Sequence, residues 1–452
     1  MKSKRQERAG KQHQPARRRM SAGTVLMLAV TLLVVGGSAL VLTRLSGNDH
    51  IDTSRLQAEI RGLKNTETTS ETQHSNDDAS VATAASSDYG TAGNSESHGA
   101  EIPSPSAAIP QTRSFTMTVG GTVSVDGEVR KNSYLSDLKV YDLSDIMMLL
   151  RDELSADVNI VFLENLLSRT EQASDLVATG ETAGMLRNAG INMAACGFAR
   201  SWDKGAEMIR ETQSLLQENR IEPVGIFGSA PPNQISLRNI NGIRTAILQY
   251  TDTIASGTRK KMNRQEQSYM VPEADPTAIA EDIAEARRQG AEAVIVLIEW
   301  GSINKAPSKA QREKAQMIAD AGADLIVGNG SRIPLGTEMI TAQRADGSQR
   351  EVLCTWSLGT VLSGERGSVK RLSGYLVHVT LQAGENGDIC TTACSYTPVY
   401  TWKYKQDGRY YYRCLASDHG PPDGMANDQA RTMEKARKTV EDALKDSPLQ
   451  QQ

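Results

Sequence analysis

From Ser114 onward, short apolar runs alternate with amphipathic stretches of helical period. "SFTMTVGG", residues 114–121, reads as a strand ending in two glycines, and "ADVNIVFLENLL", residues 156–167, as a strand with its loop. Between them, "DIMMLLRDEL", residues 145–154, has the spacing of an amphipathic helix. "NGIRTAILQYTD", residues 241–252, is a further strand. "PTAIAEDIAEARRQGAEAVIVLIEWG", residues 276–301, and "KAQREKAQMIADAGADLIVGNGSRIP", residues 309–334, repeat one pattern of helix, glycine, strand and loop. "REVLCTWSLGTVL", residues 350–362, reads as one more strand. Strands alternating with helices predict a layered α/β domain over residues 114–414. "YLVHVTLQ", residues 375–382, and "YYYRCL", residues 410–415, predict added antiparallel strands. The remaining 415–452 is a charged tail with a helix over 425–446, whose Met433, Ala436, Val440 and Leu444 share one face.

Upstream of Ser114 the pattern changes. Residues 1–19 carry eight Lys or Arg and one acid, and residues 24–43, "TVLMLAVTLLVVGGSALVLT", carry no charge. Such a run is long enough, at about 1.5 Å per residue, to cross a hydrocarbon core of roughly 30 Å. The division is therefore a basic arm over 1–23, one transmembrane helix over 24–43 and a linker over 44–113. The basic flank places the N-terminus in the cytoplasm and the domain outside, at the cell membrane. A cleaved signal peptide is the rival reading. The linker is rich in Ser, Thr, Ala, Gly and acids, with few large apolar groups. It buries too little to offset its ordering entropy and reads as a disordered tether.

Composition narrows the function classes. The 452 residues carry a net charge of −4 with 4% aromatics, which argues against a nucleic-acid binder. Five cysteines, Cys196, Cys354, Cys390, Cys394 and Cys414, make no disulfide framework. One bridge from Cys390 or Cys394 to Cys414 is the expectation, because the longer loop closes with less strain than a pair four residues apart.

Several segments, in order, resemble the CapA family, the capsule (poly-γ-glutamate) synthesis proteins. Gly120-Gly121 stands at the family's GD and Phe162-Leu163-Glu164 at its NLE. "GFARSWDKG", 197–205, stands at ANNHALDYG, and Glu299-Trp300-Gly301 at HWG. "GNGSRIPLGTE", 328–338, stands at GHHPHVLQPIE, and "WSLGT", 356–360, at YSLGN. "DAGADLIVG", 320–328, keeps the family's frame. The resemblance implies a layered, calcineurin-like metallophosphatase fold and a role in capsule or envelope polymer synthesis. It also implies divalent metals held by Asp, Asn and His, which activate water and clamp phosphoryl oxygens.

The ligand positions do not carry those donors. Gly121 stands at the Asp, Ala199 and Arg200 at the Asn-His pair, Glu299 at a His, and Asn329 and Arg332 at the last His positions. Arginine has no lone pair to offer a metal. Of the six histidines, His13, His50, His74 and His98 precede the domain, so His378 and His419 alone lie within or beyond it. The expected pocket therefore comprises Glu164, Arg200, Asp203, Glu299, Trp300, Asn329 and Arg332. In it, Glu299 pairs with Arg200 or Arg332, and no cofactor is needed. The alternative is a carboxylate site for a divalent metal on Glu164, Asp203 and Glu299. Two function classes follow: a non-catalytic, membrane-anchored protein binding an anionic surface polymer or envelope-biosynthesis proteins, and an active metal-dependent hydrolase or capsule-biosynthesis enzyme. Trp300 is expected to pack the loop, and Gly120-Gly121 to allow a tight turn.

Overall fold

A computed structural model describes residues 113–451, apart from 171–172, 231–234, 253, 255–256 and 258. The basic arm, the predicted transmembrane helix and nearly all of the linker lie outside the described residues. Among the described residues no helix is long and apolar enough to cross a membrane.

Two sheets carry the fold. The first, of nine strands, runs Arg409–Ala416, Ile389–Gln406, Ser373–Ala383, Ser114–Val123, Val158–Leu163, Met193–Ala195 and Glu222–Val224 along its main path. Its second half is parallel, and Ser373–Ala383 joins it antiparallel to Ser114–Val123. The second sheet, of six strands, runs Pro334–Gln343, Gln349–Leu358, Leu325–Asn329, Ala293–Glu299, Ile243–Thr251 and Ser236–Ile240. Its four middle strands are parallel.

Period-two alternation sorts the apolar residues into layers. Ile160, Phe162, Ile295, Leu297, Leu325 and Val327 fill a core between the sheets. Their strand neighbours Val161 and Leu163 face a second core with the helices Glu181–Asn188 and Ala206–Glu218. Val294, Val296 and Ile298 face a third, with Pro276–Arg288 and Lys309–Asp320. The result is four layers, helix on sheet on sheet on helix, and the layered α/β expectation holds. The near-continuous run Val294–Ile298 is explained: a parallel strand covered on both faces alternates between two cores, not between core and water.

The helix Asn427–Leu444 buries Met433, Ala436, Val440 and Leu444, as its spacing predicts. It packs against Ile389–Gln406, Pro334–Gln343 and Ser373–Ala383, so it touches both sheets.

Two local expectations fail. Residues 145–154 do not form an α-helix. They form successive turns with one 3-10 turn, Met148–Leu150, held by bonds such as Leu150 N–H to Met147 O at 3.0 Å. The apolar spacing is still used, since Ile146, Met147, Leu150 and Leu154 are buried. Nor does a disulfide form: all five cysteines are free. Cys394 lies opposite Val379, while Cys414 lies opposite Thr401 on the other side of the same long strand. Seven residues at about 3.3 Å each separate their levels along that strand. That is far beyond the reach of a disulfide, about 7 Å between Cα atoms.

Candidate functional site

The parallel strands of both sheets end at one cleft of about 670 Å³. This is the crevice outside the carboxyl ends of the strands, where α/β proteins place their chemistry. Glu164 follows Leu163 at the end of its strand in the first sheet. Thr251, Glu299 and Asn329 close three neighbouring strands of the second, in direct register with one another. Register partners point to the same face, and alternation turns these side chains toward the first sheet.

The first strand reaches the floor through a β-bulge. Gly120 pairs with Val161 and Thr122 with Phe162, so Gly121 is the extra residue. Thus the two glycines make no terminal turn; the strand continues to Val123. The bulge re-aims Thr122 into the sandwich. Its Oγ1 donates to Glu164 Oε1 at 2.9 Å and accepts from Asn329 Nδ2 at 2.9 Å, which ties the two sheets together. A Cβ on Gly121 would lie 2.3 Å from the carbonyl oxygen of Gly359. The position that carries the family's Asp therefore has no room here for any side chain.

The floor's central ion pair is Arg332 with Glu164 Oε2. Arg332 has φ +59°, a left-handed backbone uncommon for a residue with a Cβ. Its carbonyl oxygen accepts from Thr360 Oγ1 at 3.1 Å, which helps hold that conformation. Both Glu164 oxygens are thus engaged, and the residue is buried. Burial opposes the Arg332 charge, yet Glu164 and Glu299 hold its guanidinium above its ordinary value. Glu299 lies partly open at the floor. Burial, and then the Glu164 charge, push its carboxyl well above the usual carboxylate range; the Arg332 charge and the Asn329 amide pull the other way. Gly330 (φ +118°) lets the next loop pass close, for a Cβ there would meet Trp300 O at 2.5 Å and Glu299 Oε1 at 3.1 Å.

Five of the seven expected pocket residues line the cleft: Glu164, Arg200, Glu299, Trp300 and Arg332. Asn329 lies directly beneath, fully buried. Asp203 is not brought to the floor. It pairs with Arg200 at 2.7 Å across one turn of chain. Arg200 is therefore not Glu299's partner, and Glu164, Asp203 and Glu299 do not converge as a carboxylate triad. Trp300 packs the loop as expected. It is buried, donates from Nε1 to Trp356 O at 3.0 Å and stacks on Trp356 at 5.4 Å.

Sequence reasoning missed Thr122 and Thr251 on the floor and the acids of the rim. Asp126, Glu128, Asp175, Asp252 and Glu365 also line the cleft. Several are engaged: Glu128 with Lys403 at 3.1 Å, Asp252 with Lys314 and Glu365 with Arg371. Asp126 caps the helix Gly127–Ser133. Seven lining carboxylates against Arg200 and Arg332 make the described lining acidic, so an anionic polymer would meet mostly like charge there. Thr251 had a usable signal: it ends an apolar run just as Glu299 does.

A profile of the family described as bacterial capsule synthesis protein PGA_cap matches residues 116–365. The chain belongs to this family. The PGA_cap match contains every floor residue just described. The chain is also 26% identical over 174 residues to the PGA biosynthesis protein CapA of Bacillus subtilis, across 38% of this chain and 44% of that one. It is 28% identical over 159 residues to the capsule biosynthesis protein CapA of Bacillus anthracis, across 34% and 38% respectively. The aligned part is thus less than half the length of either relative. Among solved structures, a calcineurin-like phosphoesterase, YfkN of Bacillus subtilis, is similar at 10% identity and a TM-score of 0.35, covering 74% of this chain and 99% of its own.

The metals that the CapA resemblance implies do not fit these residues. Gly121 has no space for a ligand side chain, Arg200 and Arg332 offer no lone pair, and Glu164 is committed to Thr122 and Arg332. Among the described residues no three His, Cys, Asp or Glu form a metal-holding group.

Proposed function

We propose that this PGA_cap-family protein is a membrane-anchored, extracytoplasmic component of capsule or envelope polymer synthesis that binds through its cleft and does not hydrolyse there. The observation that carries this reading is the Arg332–Glu164 pair on the floor. A fixed guanidinium stands among the positions where the resemblance expects a divalent cation, and it repels one. Forked N–H donors suit a carboxylate, so the pair replaces metal with charge complementarity. The acidic lining favours an envelope-biosynthesis partner, or a basic part of one, over the flank of a polyanion. Anchoring rests on the basic arm and the uncharged run over 24–43.

The test is a titration of the purified protein with Mn²⁺ and Zn²⁺, read by melting and by phosphoester turnover. No saturable melting shift and no turnover are expected. Saturable stabilisation that disappears in Glu164→Gln, together with turnover, establishes the active metal-dependent hydrolase instead. Topology is read separately: protease added to intact protoplasts should remove the domain, and full protection overturns the anchored, outward orientation.

A further inference from the structure

Among the described residues, the floor of the cleft contains buried polar atoms without a hydrogen-bond partner. Thr251 and Asn329 are 1% and 0% exposed. Among the described residues, Thr251 Oγ1 and Asn329 Oδ1 have no hydrogen-bond partner. Buried polar atoms are rarely orphaned, because each costs about 1–3 kcal/mol. These two flank Glu299 in register, one on each neighbouring strand. Thr251 and Glu299 both line the cleft. Fold stability gains nothing from the two orphaned oxygens, whereas a ligand donor set against the row would partner them and share the Glu299 carboxylate.

The chemistry of the row selects that group. The Asn329 amide N–H donors go to Thr122 and to Glu299, so what it leaves over is the acceptor Oδ1. Glu299 supplies carboxylate oxygens, and Thr251 a hydroxyl oxygen. One carboxylate between two neutral oxygens matches an R–NH₃⁺ group, which has three N–H donors, one positive charge and no acceptor. A divalent cation is served less well, since Glu164, the second acid nearby, is held by Arg332 and Thr122. The carboxylates of the rim add attraction for a cation at longer range. We propose that Thr251, Glu299 and Asn329 form a subsite for a primary ammonium group, such as an amino terminus or an alkylamine on the bound partner. This deepens the binding reading above and rests on it.

Calorimetric titration of the full-length protein in detergent with 1,4-diaminobutane tests the subsite, with N,N′-diacetyl-1,4-diaminobutane and MgCl₂ as the other arms. Saturable binding of the diamine is expected, and none of its diacetyl form. Glu299→Gln should weaken it at least about tenfold, as loss of a charge-assisted hydrogen bond implies. Thr251→Val should weaken it a few-fold, and Glu313→Gln, on an exposed helix face away from the cleft, should leave it unchanged. Thr251→Val carries the test if Glu299→Gln does not fold. No diamine binding, equal binding of the diacetyl form, equal loss in Glu313→Gln, or displacement of the diamine by stoichiometric Mg²⁺ overturns the proposal. Turnover plays no part in this readout, so the ammonium subsite and the non-catalytic reading fail separately.

Discussion

The same strands end in two differently finished polar sites. At the amino end of Leu325–Asn329, Asp324 accepts from Arg350 at 2.6 Å, from Arg287 at 2.7 Å and from the Val294 N–H at 2.7 Å. At the carboxyl end, Asn329 keeps an orphaned oxygen, Glu299 beside it has no arginine of its own, and Thr251 completes the row unpaired among the described residues. Burial holds the Asp324 carboxyl above its usual range even between two arginines, and its donors are all supplied by the fold. The difference separates structure from function. A closed network specifies the fold, whereas an open row of acceptors on a cleft floor awaits something from outside.

Breaking the closed end should have the larger effect on stability. Asp324→Ala leaves Arg350, whose side chain is only 13% exposed, without its carboxylate. Removing one partner of a buried pair costs about 3–5 kcal/mol. Urea unfolding should show that loss, and Asp324→Asn should recover only part of it. A change under about 1 kcal/mol would mean that the arginines find other acceptors and that the amino end is not closed as described.

The pair on the cleft floor is intermediate. Arg332→Ala leaves Glu164 buried beside Glu299 with no cation between them. About 1–3 kcal/mol is expected, less than at Asp324 because the Arg332 side chain is 35% exposed and its charge is partly screened by solvent. Glu164→Gln in the same background should restore most of the loss, since the uncompensated charge is its cause. Equal destabilisation in the single and double variants would assign the effect to packing alone.

How much of this was legible follows the range of the interactions. Strands that end at Glu164 and Glu299 were read correctly because apolar runs and their ends are local signals. The choice of partners was not. Arg200 was a fair candidate for Glu299, yet a turn three residues long gives it Asp203 first. Gly121 was read as a missing ligand within a terminal turn. That it is the extra residue of a bulge, with Thr122 in the working position, depends on pairing with Val158–Leu163, forty residues away in sequence on the register Thr122 to Phe162. The cysteines failed for the same reason: sequence spacing does not reveal that a long strand, Ile389–Gln406, keeps Cys394 and Cys414 at different levels.

The smallest effect sought is the most specific to the open end, the dependence of stability on pH at Glu299. Its carboxyl is pushed well above the usual range by burial and by Glu164, against Arg332 and Asn329. A raised folded value means that the native state holds this proton more tightly than the unfolded chain does. Stability from this group is therefore present below the ordinary carboxylate range, about pH 4, and is lost as pH rises toward the folded value. Glu299→Gln carries no such proton, so its stability should fall less over that window. At pH 8 it should match or exceed the parent in stability. Paired urea titrations at pH 5 and pH 8 measure the difference. Parallel profiles for parent and variant would show that Glu299 is ionised without penalty, and the open end would then be already satisfied by the fold, like the end at Asp324.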